Sequence, residues 1–535
     1  MSWKRQLFLW HRWMGISLCL FFALWFVSGI FMMYVPFPEL TRPERLAGAQ
    51  PLASAAVRLT PGEAVARLEP RDFATRATPS TIEALAIEEA SAGIGVPRSI
   101  RLVMILGRPA YVVHVGGAQP RVVFADDGTV LREVTPPMGQ AAAAAFSARR
   151  GHDISAIEYE GAVHTDQWTV SGGLNAHRPL LRYALHDEDG TNLYVSSRTG
   201  EVVRDTHSTE RVLNYFGAVT HWLYPTFIRK YPLAWEWLVD IVSFGGVVIA
   251  VTGLWIGLLR WKRRPQPGKS HVPYRGLMRW HYLTGITFGL VTVTWVFSGL
   301  MSMNPLSLNP SSQPSEAQAL VFAGRSLQAS DFEVPAQGFG ADAIEAVLFH
   351  YAGQAFYRVT DRDGTLRIVA GNAAAVEFPQ GQAMLERASE LLPSARIVEA
   401  RTLTDYDDYY YARRPERGGR PLPALRVRFD DEQRTWFHLD PRTGEILERS
   451  TRTNRAYRWL YNGLHSFDLW WLWQRRPLWD IVVIAFSLGG AVLSSIGVVI
   501  GWRRLRYKQR RRAPQEGSAR PRGAAPAPIP TRSHQ

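Results

Sequence analysis

Apolar residues along this 535-residue chain are clumped. Four stretches, Met14–Tyr34, Trp237–Leu259, Tyr282–Met303 and Leu478–Gly501, carry almost no charge. Each runs close to the roughly 20 residues that a helix needs to cross the hydrocarbon of a bilayer. The blocks between them are polar and mixed in charge, which fits neither a soluble protein nor a compact all-membrane transporter. The pattern predicts a membrane α-helical protein with four transmembrane helices and two folded extramembrane α+β domains. Its expected segments are an N-terminus 1–13, a first crossing 14–35, a domain 36–235, a second crossing 236–260, a linker 261–280, a third crossing 281–304, a domain 305–476, a fourth crossing 477–502 and a tail 503–535.

Within the polar blocks the hydrophobic period shortens to two. Ala110–Val134 and Leu425–Leu447 alternate apolar and polar residues, as half-buried strands do, and Asp127–Gly128 and Thr443–Gly444 stand where hairpin turns belong. Short amphipathic helices are expected before the strands, as in Leu59–Pro70. The tail after Arg512 is rich in Pro, Ala, Arg and Ser and is expected to be disordered.

The formal net charge of +14 would suggest nucleic acid if it covered a soluble surface. Its location argues otherwise. Residues 1–13, 260–280 and 503–535 hold twenty Lys and Arg against one acid, Glu516, which leaves the rest of the chain net acidic. All three basic segments fall on one side of an even number of crossings. By the positive-inside rule, both termini are expected in the cytoplasm and both large domains outside, with membrane lipid and no nucleic acid as the surrounding partner. The first apolar run follows a basic start but has no clear cleavage site, so it reads as a retained anchor. The single cysteine, Cys19, excludes an intrachain disulfide and a CxxCH site for covalent haem.

The chain also repeats itself. Trp10, His11, Gly15, Ile16, Trp25, Ser28, Gly29 and Met33 recur 270 residues later as Trp280, His281, Gly285, Ile286, Trp295, Ser298, Gly299 and Met303. A second block recurs at an offset of 244: Ser197–Val203 returns as Pro441–Leu447, His221 as His465, and Gly245, Gly246, Gly253 and Gly257 as Gly489, Gly490, Gly497 and Gly501. The order helix, domain, helix thus occurs twice in one orientation, a tandem 2+2 duplication with a pseudo-two-fold axis expected along the membrane normal.

Of fourteen histidines, four survive this repetition. His11 and His281 stand near the basic ends of the first and third crossings, and His221 and His465 shortly before the second and fourth. A lone interfacial histidine is more often solvated or capping than functional. The axis, however, would set His11 against His281 and His221 against His465 at opposite membrane faces. Two facing imidazoles suit a b-type haem, and bundle cores build cofactor sites from facing helices. A closed zinc site would need two more ligands at each pair. Gly15, Gly253, Gly257, Gly285, Gly289, Gly497 and Gly501 could leave room for a macrocycle, or serve close helix packing. Met32, Met33, Met301 and Met303 could offer thioethers, though apolar packing explains them better. The Trp-rich stretches Trp10–Trp13 and Trp470–Trp473 read as interfacial belts. The loop Asp405–Arg413 could bind a metal chelate or peptide, or be a solvated acidic turn. No P-loop, dinucleotide fingerprint, G-x-S-x-G elbow or H-E-x-x-H motif occurs.

The opening RxxxxxHRWxG at Arg5–Gly15, the helix ending in Ser28–Gly29, the RTGE turns, Tyr461–Trp470 (YNGLHSFDLW) and the GGxxxxxxG…WxRR closing helix together resemble the PepSY-associated transmembrane proteins of bacterial inner membranes. The likeness spans about residues 3–505. It implies PepSY-like exported domains and a role in iron uptake, since some members look like haem-bearing reductases of ferric siderophores. His11, His281, His221 and His465 match the family's membrane-associated histidines and are the implied axial ligands of two haem b groups. Some related proteins add a flavin and nicotinamide reductase domain, for which nothing after Gly501 provides sequence, so a separate donor, a quinol or a cytoplasmic reductase, is expected. The sequence thus points to an electron carrier that reduces a periplasmic ferric siderophore or other ferric chelate. The alternative is a non-catalytic membrane protein whose exported domains bind peptides or restrain a protease.

Overall fold

The computed structural model of the chain describes residues 3–69, 97–115, 119–152, 157–261, 271–372 and 378–512. The middle of the basic linker, 262–270, and the tail from 513 on lie outside the described residues. Among the described residues four helices are long and apolar enough to cross a membrane: Trp3–Tyr34, Pro232–Arg260, Gly276–Ser302 and Leu478–Arg512. The first begins well before its apolar run, so His11 lies inside the helix. The fourth continues past Gly501, so residues 503–512, the first part of the expected tail, are helical. Arg, Lys and Gln are strong helix formers, and the negative end of the helix dipole favours cations there.

The helices form a closed bundle in which the first and third each pack against the second and fourth. Phe22, Phe26, Ile249 and Val296 make its centre. Glycines admit these rings: a Cβ on Gly246 would lie 2.7 Å from Val296 Cγ1, and one on Gly490 would collide with the Phe26 ring. Leu20, Leu24, Ile241, Phe244, Leu290, Ile481 and Leu488 point outward and are exposed, as suits contact with lipid tails.

Both polar blocks emerge on the same side of the bundle. The first contributes β1 (Pro97–Ile105), β2 (Arg108–Val115), β3 (Arg121–Phe124), β4 (Val130–Leu131), β5 (Glu158–Val163), β6 (Leu180–Ala184), β7 (Asn192–Ser196) and β8 (Val202–Thr206). The second contributes β9 (Ala343–Tyr351), β10 (Gln354–Asp361), β11 (Leu366–Ala370), β12 (Ile397–Leu403), β13 (Ala424–Phe429), β14 (Trp436–Leu439) and β15 (Ile446–Ser450). The blocks share one seven-stranded sheet, in the order β11-β10-β9-β1-β2-β3-β4. Its central seam is the antiparallel pairing of β1 with β9, Ile100 opposite Leu348 and Leu102 opposite Ala346. These residues belong to a core drawn from both blocks, with Tyr111, Phe332, Phe339 and Tyr357.

Successive strand residues face opposite ways, so the other face of this sheet carries a second set of apolar side chains. Val103, Ile105, Ala110 and Val112 pack with Leu181, Tyr183, Leu193 and Val195 of the four-stranded sheet β5–β8. Tyr351 and Phe356 pack with Val427, Phe437 and Leu439 of the sheet β12–β15. The two small sheets therefore both pack on one large sheet, and Arg101 of β1 pairs with Glu201, between β7 and β8 of one small sheet, and with Glu345 of β9.

Candidate functional site

The four repeated histidines meet in two pairs. The ring centroids of His11 and His281 are 6.4 Å apart and inclined by 38°. Those of His221 and His465 are 6.1 Å apart and inclined by 75°. The first pair sits inside the bundle toward the chain termini, the second where the bundle meets the sheets.

Local structure brings the second pair in. His221 closes a four-residue helix, Ala218–His221, that Gly217 sets off from the preceding helix Ser208–Phe216. His465 follows a π-helical turn, Trp459–Gly463, and the chain reverses at Phe467 with φ +48°. Neither histidine belongs to a long membrane helix. Both reach the bundle by short excursions that press them against the first and third helices, where ideal Cβ atoms on Gly29 and Gly299 lie 3.6 Å from the Cε1 atoms of His221 and His465.

Hydrogen bonds fix which nitrogen faces inward. Ser28 donates its one O–H to the Trp25 carbonyl at 3.2 Å, so its oxygen accepts from His221 Nδ1 at 3.0 Å. Ser298 repeats this, donating to Trp295 O at 3.0 Å and accepting from His465 Nδ1 at 3.1 Å. His11 Nδ1 donates to the Ile249 carbonyl at 3.1 Å. Beside His281 the corresponding carbonyl, Leu493, falls short of hydrogen-bond geometry. A neutral imidazole with its proton on Nδ1 leaves Nε2 as a bare lone pair. Three of the four rings are so oriented by a partner, the outer arrangement that positions ligating histidines.

These residues fit a metal held by two axial imidazoles. A metal–imidazole bond of about 2 Å, with each ring centre about 1 Å behind its nitrogen, places the centroids about 6 Å apart. Among the described residues no group of three or more His, Cys, Asp or Glu gathers to hold a metal, so each pair could offer two imidazoles and no third such ligand. Beside His11 and His281 lies a cavity of about 430 Å³, within the range of sites that hold organic ligands. All seven glycines singled out in the sequence line it. A smaller cavity of about 290 Å³ lies beside the His221 helix, among Trp25, Tyr215, Val219 and Leu223.

Gly253 is the tightest of these contacts, its ideal Cβ only 2.6 Å from His11 Cε1. Gly253→Ala is expected to displace the His11 ring and cost about 1–3 kcal/mol of stability, as overpacking does. Gly29→Ala, at 3.6 Å from His221, makes an ordinary contact and is expected to change stability by less than about 0.5 kcal/mol. Thermal unfolding of the two variants in detergent measures the contrast; equal losses would mean that the His11 ring is not held where it stands.

The other candidates fall elsewhere. Met301 is buried and its carbonyl accepts from the Tyr457 hydroxyl, while Met33 packs with Leu472, Trp479 and Val483. Trp10, Trp13 and Trp471 are exposed, as a belt requires. The loop Asp405–Arg413 is structured and reaches the outer pair. Asp407 accepts from the amides of Tyr409 and Tyr410 and pairs with Arg426. Burial disfavours ionisation of Asp407, and these partners outweigh it, holding the carboxyl below its usual range. Asp408 accepts from Trp470 N at 2.9 Å, Tyr411 donates to Asp468, and Arg413 binds Asp468 at 2.9 Å and Ser466 at 2.6 Å, next to His465. Under this loop His438 is fully enclosed; burial and then the charges of Arg426 and Arg420 push it down to about 3, so it accepts from Arg426 Nε at 2.9 Å as a neutral ring. In the first block, Gln167 donates to Tyr224 O at 2.9 Å beyond His221. Sequence reading left the Asp405–Arg413 loop open and missed Ser28 and Ser298 as histidine partners, although both serines stand in the repeated helix ending.

No curated protein matches the chain. A family model described as the PepSY-associated TM region matches residues 8–362, about two thirds of the chain. That span takes in the first three membrane helices, the whole first block, and His11, His221 and His281. The chain belongs to the PepSY-associated transmembrane family.

Proposed function

We propose that this protein is a di-haem electron carrier of the bacterial inner membrane that reduces a periplasmic ferric siderophore or other ferric chelate and so releases its iron. One observation carries this reading: two pairs of imidazoles lie at opposite ends of one bundle, each about 6 Å across. His11 and His281 would hold one haem b, His221 and His465 the other. The matching Ser28–His221 and Ser298–His465 contacts support a tandem duplication about an axis along the membrane normal. The positive-inside distribution supports cytoplasmic termini and periplasmic sheets.

When bound, each haem would supply a one-electron couple. The chain's own residues do the rest. Ser28, Ser298 and the Ile249 carbonyl hold their histidines in the Nδ1–H form, which keeps Nε2 free to ligate. If both imidazoles of each pair held its haem, no open place would remain for oxygen to bind, which favours electron transfer over oxygenation. The apolar bundle core of Phe22, Phe26, Ile249 and Val296 excludes water between the two levels. The sheets stand over the outer pair, where Arg413, Tyr411 and Asp468 link their loop to the His465 segment. The substrate is the ferric chelate: one electron reduces Fe(III) to Fe(II), which hard oxygen ligands hold less well. The electron comes from a separate donor, a membrane quinol or a cytoplasmic reductase.

An optical spectrum of the detergent-purified protein tests this. A Soret band that shifts on dithionite reduction, with two haems per chain, is expected. Protein that stays colourless after incubation with haem would overturn the carrier and leave a peptide-binding or protease-restraining membrane protein as the better reading.

A further inference from the structure

The His11/His281 cavity has a basic rim that the histidine pairing does not use. Arg12, Arg260 and Arg504 all line it, from the first, second and fourth helices. Arg260 and Arg504 each follow a lining glycine, Gly257 and Gly501, by three residues, which sets them one turn further out on the same helix face. They also occupy matching places at the offset of 244. Arg12 has no such twin: the position 270 residues on is Tyr282, whose hydroxyl donates to Gly257 O at 2.9 Å.

Among the described residues no carboxylate lines this cavity. Among the described residues none of the three guanidinium groups forms an ion pair, and Arg260 instead lies over the Phe8 ring at 4.9 Å. Arg503 and Arg506 of the same helix end do not line the cavity, and Arg506 stacks on Trp502. A general demand for positive charge on this side of the membrane does not choose between these arginines, whereas the cavity does. Three uncompensated guanidinium groups around an apolar, glycine-walled space call for an anion whose body is apolar, and their planar forks match carboxylates.

We infer that Arg12, Arg260 and Arg504 clamp the carboxylates of the macrocycle held between His11 and His281, and so fix it with its acidic edge toward the chain termini. This rests on the di-haem reading and adds to it an orientation and a ligand selectivity. The inner site should take a haem with free propionates and reject one whose acids are masked.

Reconstitution of the apoprotein tests this with two probes, haem and haem dimethyl ester. The full chain carrying His221→Ala and His465→Ala reports the inner site alone, and affinity is read from the Soret titration. A preference for the free acid of at least about tenfold is expected, the size of one charge-assisted hydrogen bond. In Arg12→Gln/Arg260→Gln/Arg504→Gln that preference should vanish while the ester binds as before. The same triple substitution in the otherwise native chain must keep the haem of the outer pair, which shows that the bundle is folded. Equal binding of both probes to the native inner site, or a preference that survives the triple substitution, would overturn the clamp and leave the arginines to lipid phosphates. If neither probe binds to any form of the protein, the di-haem reading itself falls.

Discussion

His11→Ala and His281→Ala are each expected to lower the haem content from two per chain to one, and to remove the same haem. The argument is geometric. The two rings face one another at 6.4 Å with no third His, Cys, Asp or Glu gathered among the described residues to replace either. On the proposed reading, loss of one ring would leave a single imidazole where two would hold the haem, and the double variant should lose no more than either single one, as expected for residues that act as a unit. His221→Ala and His465→Ala should do the same at the other level. Ser28→Ala and Ser298→Ala leave the ligands in place but free their Nδ1 atoms, so a weaker effect is expected, on the order of 10–100-fold in haem affinity. Haem per polypeptide, measured with the reduced spectrum of each variant, decides this. Loss of both haems from any single histidine change, with helix content intact, would mean that the pairs are not the ligands, or not paired in this way.

Those pairs were legible because the sequence states the same residues twice. Offsets of 270 and 244 mark His11 with His281 and His221 with His465 before any coordinates exist, and the structure brings both sets into contact. The four membrane helices were equally plain, since a run of about 20 apolar residues has few other uses. Helix ends were less so: hydropathy ends at the membrane surface, but hydrogen bonding continues through Trp3–Trp13 and on to Arg512.

The seam between the blocks was not legible. β1 and β9 are both apolar, alternating strands, and nothing in either marks the other as its neighbour across more than two hundred residues. Pairing of this kind is decided by the two cores together. The tautomers were also hidden, because they depend on the Ile249 carbonyl and on serines whose sequence context reads only as a helix ending. The Asp405–Arg413 loop shows the same limit. Its acids look like a solvated or metal-binding cluster, yet Asp407 and Asp408 spend their oxygens on amides and arginines of the fold.

Arg101→Ala is expected to cost about 3 kcal/mol, the scale for breaking a partly buried ionic cluster. Arg101 donates to Glu201 at 2.6 Å and to Glu345 at 3.3 Å, and Arg45 shares Glu345 at 3.2 Å. The side chains of Arg101, Glu201 and Glu345 are 18%, 20% and 9% exposed, so solvent cannot substitute for the missing guanidinium. Burial opposes ionisation of Glu201, but the Arg101 charge and hydrogen bond outweigh it and hold this carboxyl below its ordinary range. A depressed carboxyl contributes stability that is fully present above its unfolded pKa and is lost as pH falls through the folded one. Without Arg101, burial, the largest of the causes, is opposed only by His177 and a Thr199 hydrogen bond, so the Glu201 carboxyl rises and its ionised form is disfavoured in the fold. The deficit of the variant should therefore be largest near pH 7 and shrink as the pH drops toward 4, and Arg101→Ala/Glu201→Gln should recover part of it at neutral pH. Since β1 and β9 join the blocks at this point, both small sheets are expected to loosen together. Unfolding followed by tryptophan fluorescence at several pH values measures this, and a deficit that does not change with pH would remove the ionic cluster as its cause.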